Sequence, residues 1–118
     1  MQCLQLTRGE PPATTVDVVL SGPFDSTYGY VTIDGTKYTS AQTLTVAKGT
    51  SVTVHCGTEY VFYQNNAKIT LNGTTVAQGT ISAAAEYTFS VTSNCTIAFI
   101  RYTSQGAYAY AADITMPA

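Results

Sequence analysis

Apolar and polar residues alternate with a period of two along most of the chain. Val16, Val18 and Leu20 point one way while Thr15, Asp17 and Val19 point the other, the pattern of a strand with one buried face, and Ser21-Gly22-Pro23 ends it. Val31 and Ile33 oppose Tyr30, Thr32 and Asp34. A further run over 43–50 ends at Lys48-Gly49, and Val52 and Val54 open the next. Tyr87, Phe89 and Val91 keep the same parity. Cys95, Ile97 and Phe99 then face away from Ile100 and Tyr102, and Tyr108, Tyr110 and Ile114 continue in register. The last two runs, joined through 103–106, read as a closing hairpin. No amphipathic helical stretch exceeds a turn, and residues 80–87 are the only helix-tolerant segment.

One eight-residue phrase occurs twice, as VTIDGTKY at 31–38 and ITLNGTTV at 69–76. Each carries an Asx-Gly pair, the strongest short hairpin signal, because a type I′ turn needs positive φ at both central residues. An alternating run follows each copy, with Val52 and Val54 answering Tyr87, Phe89 and Val91. Two copies are too few for a solenoid, so they are expected at related positions in two packed sheets.

Some seven to nine short strands, with turn signals every ~8–12 residues, predict an all-β antiparallel sandwich. The domain is expected to span 14–118. Residues 1–13 end in Gly9-Glu10-Pro11-Pro12 and read as an extended N-terminal arm or linker, with Leu4 and Leu6 as its apolar side chains. A chain of 118 residues fits one such domain.

Composition changes the picture in one respect. Charged residues make up 10% of the chain, well under the ~25% usual in soluble proteins, so Thr, Ser, Asn, Gln, Gly and Tyr must dress the surface. Arg8, Lys37, Lys48, Lys68 and Arg101 are scattered and the net charge is -2, which leaves no footprint for nucleic acid. No stretch approaches the ~20 apolar residues of a membrane span. The N-terminus shows neither a basic region nor an apolar core of a secretory signal, and the expectation is a chain made and used without export.

Chemistry-bearing residues are few. Cys56 and Cys95 have inward parity and could meet across two sheets, but without an export signal reduced, buried thiols are favoured; Cys3 is left over. The cysteine spacing and the single histidine argue against zinc. His55 falls out of phase with the core and is expected to face solvent. Neither it nor Asp17, Asp25, Asp34, Glu59, Glu86 and Asp113 shows a recognisable catalytic setting, so no enzyme and no cofactor is expected. Asn72 and Asn94 match the glycosylation acceptor pattern, and Asn72-Gly73 already has its hairpin explanation. Nine tyrosines against four phenylalanines are the remaining anomaly. Tyr28, Tyr30, Tyr60, Tyr63, Tyr102, Tyr108 and Tyr110 form either an aromatic binding surface or core rings whose hydroxyls reach the rim.

The phrases VTIDGTKYTSAQTLTVAKGTSVTV and ITLNGTTV resemble the Ig-like β-sandwich domains of bacterial surface proteins and of tailed-bacteriophage virions, over roughly residues 14–115. The resemblance implies a non-enzymatic structural role, such as a capsid decoration, collar or tail accessory protein made in the bacterial cytoplasm and carried on the virion. Its expected partners are a capsid or tail subunit and further copies of itself in a symmetric oligomer. The arm, through Leu4 and Leu6, would add a strand to a neighbour's sheet edge. The alternative is a carbohydrate-binding or adhesive module, with Tyr108 and Tyr110 as a platform for a host-surface glycan.

Overall fold

A computed structural model of the chain describes residues 14–59, 66–80, 83–104 and 107–117. The arm over 1–13, with Cys3, Leu4 and Leu6, lies outside them, as do Tyr60 and Tyr63. Ten strands run through the described residues: β1 (Thr15–Ser21), β2 (Gly29–Ile33), β3 (Thr36–Tyr38), β4 (Gln42–Ala47), β5 (Thr50–Cys56), β6 (Lys68–Leu71), β7 (Thr74–Gln78), β8 (Ala85–Val91), β9 (Cys95–Ser104) and β10 (Ala107–Thr115). The expectation was seven to nine. Among the described residues no helix is long and apolar enough to cross a membrane.

The strands form two packed sheets. A large sheet has the order β4-β1-β9-β10-β6-β7 and a small one the order β3-β2-β5-β8. Between them lie Val18, Leu20, Val31, Val52, Val54, Ile69, Val91, Ile97, Phe99, Tyr110 and Ile114, all buried, which is the set that the period-two alternation places inward. Both Asx-Gly pairs adopt the left-handed backbone of a type I′ turn, with φ of 51° and 80° at Asp34 and Gly35 and of 49° and 87° at Asn72 and Gly73.

The repeated phrase has a topological meaning. The first copy builds the β2–β3 hairpin at one edge of the small sheet, and the second builds the β6–β7 hairpin at one edge of the large sheet. From its hairpin the first half crosses to the large sheet as β4 and returns as β5. The second half crosses to the small sheet as β8 and returns as β9. The small-sheet order β3-β2-β5-β8 is thus matched in the large sheet by β7-β6-β9-β4, with β10 inserted between β6 and β9 and β1 inserted between β9 and β4. The runs at 52–54 and 87–91, expected to be counterparts, are instead neighbours in one sheet, pairing Val52 with Phe89 and Val54 with Tyr87.

That insertion explains why the fold is not purely antiparallel. A strand placed between two strands of opposite direction must run parallel to one of them. β1 therefore pairs parallel with β9 and antiparallel with β4, and β10 pairs parallel with β6 and antiparallel with β9. The β9–β10 pairing, from Thr96 with Thr115 to Ser104 with Ala107, is the expected closing hairpin.

Candidate functional site

Three places bring polar or aromatic side chains together. On the outer face of the small sheet, one cross-strand row joins Tyr30, His55 and Glu86, since Tyr30 pairs with His55 and His55 with Glu86. The Tyr30 and His55 rings stack with centroids 4.2 Å apart at 15°, and Lys37 Nζ lies 4.2 Å from the Tyr30 ring centroid while donating to the Ser26 carbonyl at 2.9 Å. His55 Nδ1 sits 3.1 Å from Glu86 Oε2. His55 does face outward, as its phase requires, yet its side chain is only 18% exposed because Tyr30 and Glu86 cover it. Burial pushes its pKa below the ordinary histidine value; Glu86 opposes that shift and Lys37 adds to it. The array holds a neutral imidazole against a carboxylate.

At one end of the sandwich three tyrosines meet edge to face. Tyr28 and Tyr108 have centroids 5.9 Å apart at 87°, and Tyr108 and Tyr110 5.8 Å apart at 85°. The Arg101 guanidinium lies over Tyr108 at 4.2 Å. Burial raises the Tyr28 pKa, and the neighbouring Glu59 carboxylate raises it further. Of the two tyrosines expected to form a platform, Tyr110 is 2% exposed and belongs to the core, while Tyr108 is half-buried and packs against it. Strand parity already aligned both with Ile114, so these positions follow from the alternation.

The third place is the outer face of the large sheet. Ile100 is 48% exposed, the large hydrophobic side chain that the described residues leave in solvent. It pairs with Ala111 on β10; the next row holds Ala98, Asp113 and Thr70. Thr70 Oγ1 donates to Asp113 Oδ1. Parity placed Ile100 and Tyr102 opposite the core, but the alanines around Ile100 are known only from register.

The cysteines do not form a cross-sheet pair. Cys56 and Cys95 are both buried and both free. Gly57, next to Cys56, accepts a hydrogen bond from Tyr110 N, and Tyr110 is paired with Arg101, six residues along β9 from Cys95. At ~3.3 Å per residue this separates the two thiols by ~20 Å along the sandwich, far beyond the ~7 Å between Cα atoms that a disulfide spans. The inward parity of both is as expected; the meeting across the sheets is not, because they occupy opposite ends of the core. Burial raises both thiol pKa values. Among the described residues no group of three His, Cys, Asp or Glu side chains is placed to hold a metal ion.

Both asparagines of the acceptor pattern serve the backbone. Asn72 Oδ1 accepts from Met116 N and Asn94 Oδ1 from Asp17 N, each at 2.9 Å, so each side chain ties a turn to a neighbouring strand.

Comparison with protein-family models, curated proteins and solved structures finds no match.

Proposed function

We propose that the chain is a non-enzymatic docking protein with an Ig-like β-sandwich, carried on the virion of a tailed bacteriophage as a capsid decoration or tail accessory subunit. The observation that supports docking is Ile100. It is a large apolar side chain, half exposed on an outer sheet face, of the kind that can sit at the apolar centre of a protein–protein contact. The polar side chains that would otherwise suggest chemistry, Lys37, Tyr30, His55 and Glu86, are engaged with one another across a sheet. The repeated Asx-Gly hairpins and the two-sheet core supply the framework that the resemblance to Ig-like virion proteins implies.

The test is composition of the particle. Density-gradient-purified virions of the phage whose genome carries this gene are expected to contain the chain at fixed copy number, and Ile100→Lys is expected to lower its occupancy. Particles lacking the chain overturn the virion assignment. Specific binding to a glycan array that depends on Tyr108 and not on Ile100 would replace it with the adhesive reading.

A further inference from the structure

We infer that residues 3–7 of this chain dock as an added strand on the open edge of its own β4, with Leu4 and Leu6 entering a hollow between the two sheets. The inference stands apart from the docking reading, which rests on Ile100.

β4 ends the large sheet and β3 ends the small one, and residues 39–41 join the two. Between these edges opens a hollow of about 320 Å³, lined by Ile33, Thr36 and Tyr38 from the small sheet and by Thr45, Val46 and Ala47 from the large. Tyr38, Leu44 and Val46 pack against the core along this seam, yet each is only half-buried. Their neighbours one strand further in are fully covered: Val16, which pairs with Val46, and Val18, which pairs with Leu44, are both buried. The difference is position. Val16 and Val18 have a strand on either side, whereas β4 has a strand on one side only among the described residues. An edge of this kind, with apolar side chains beside unpaired backbone, is what an extended segment covers.

The point at which the described chain begins selects the segment. Thr14 accepts a hydrogen bond from Lys48 N at 2.8 Å, and Thr15 pairs with Ala47, a residue that lines the hollow. The chain before Thr14 therefore starts at the Ala47 end of the hollow. From the lane of β1 to a new lane beyond β4 is two strand spacings, ~10 Å. Residues 8–13 can span up to ~20 Å, so they bridge that distance with chain to spare for a reversal. Gly9, Pro11 and Pro12 fall within this bend, where their backbone preferences suit a turn. Direction follows as well: β1 leaves from this end of the sandwich, so a segment that bends into it runs toward this end, parallel to β4.

The alternation of the segment fits the edge. Cys3-Leu4-Gln5-Leu6 repeats the polar and apolar order of Thr43-Leu44-Thr45-Val46. Leu4 and Leu6 thus share one face of a strand at ~6.6 Å spacing, the spacing at which Leu44 and Val46 present themselves. With the leucines turned inward, Gln5 and Thr7 join Thr43 and Thr45 on the solvent side.

Hydrogen exchange on the full-length chain, read by mass spectrometry in a sample that sediments as a monomer, tests the inference. Amides of residues 4–7 are expected to exchange at least ~10-fold more slowly than in an unstructured peptide, and the protection is expected to survive 100-fold dilution. In the double variant Leu4→Asp, Leu6→Asp that protection is expected to vanish and residues 42–47 to exchange faster, while β8 keeps its wild-type rates. The unfolding equilibrium constant is expected to rise at least ~10-fold for each leucine that leaves the hollow, and Leu4→Ile, Leu6→Ile to restore most of the loss. Unprotected residues 4–7 in wild type overturn the inference whether or not the variant folds. Faster exchange at 85–91 in place of 42–47 overturns it by putting the segment on the β8 edge. Protection that falls on dilution, or that occurs only in an oligomer, overturns it in favour of a neighbouring copy's edge.

Discussion

Gly29 lies against the face of the Tyr110 ring: a methyl group added there would stand 2.7 Å from Tyr110 Cγ and closer still to Cδ2. The contact joins the small sheet to the large one at the level where Cys56 pairs with Gly29. Gly29→Ala is therefore expected to destabilise the fold by roughly 1–3 kcal/mol through overpacking, read as a lower urea midpoint at unchanged m-value. Shrinking the ring in the double variant Gly29→Ala, Tyr110→Leu should cost less than the sum of the two single changes, because the residues share one contact.

The His55 array sets a pH dependence. Its folded pKa lies below the unfolded value of ~6.5, so the unfolded chain binds the proton more readily and acid favours unfolding. Stability from this group is present in full above the ordinary histidine pKa and is lost as pH falls below it. The drop in thermal midpoint between neutral pH and mildly acidic buffer is expected to shrink in His55→Asn. In Glu86→Gln it is expected to deepen, since the carboxylate that favours the charged imidazole is gone.

Cys56 and Cys95 are expected to resist alkylation in the native state and to label fully in denaturant. Both are buried, and burial disfavours the reactive thiolate. Peptide mapping under non-reducing conditions should find no Cys56–Cys95 cross-link even after oxidant treatment. Detection of that cross-link in folded protein would contradict the placement of the two thiols at opposite ends of the core.

Asn72 performs two tasks in its turn, holding φ at 49° and accepting the hydrogen bond of Met116 N. Asn72→Ala is expected to cost roughly 1.5–3.5 kcal/mol, the sum of a left-handed backbone strain and one lost hydrogen bond. Asn72→Asp keeps the acceptor and the backbone tolerance, and its denaturation midpoint should stay near wild type.

Much of this architecture is legible along the chain. Strand parity places Val18, Val54, Ile97 and Ile114 inward and Tyr30, His55 and Ile100 outward, and the two Asx-Gly pairs locate both type I′ turns. Register is what alternation does not encode. Every second residue of a strand shares a face, but which residue stands beside it depends on strand order, and strand order depends on where β1 and β10 insert. The stacking of Tyr30 on His55, the contact with Glu86 and the alanine floor beside Ile100 all arise from cross-strand pairing between segments some 10 to 30 residues apart. The same limit applies to the cysteines: parity turns both toward the core, and only the pairing of Tyr110 with Arg101 shows how far apart along the core they lie.

The slotting of β1 and β10 between strands of the repeated halves has a consequence for assembly in time. During synthesis the small sheet has all four of its members once β8 has emerged, whereas the larger layer must wait for the tenth strand to wedge between two already translated neighbours. Until then β6 and β9 present open backbone to each other across a vacant lane. A nascent chain stalled before residue 107 would offer that lane to any extended polypeptide nearby.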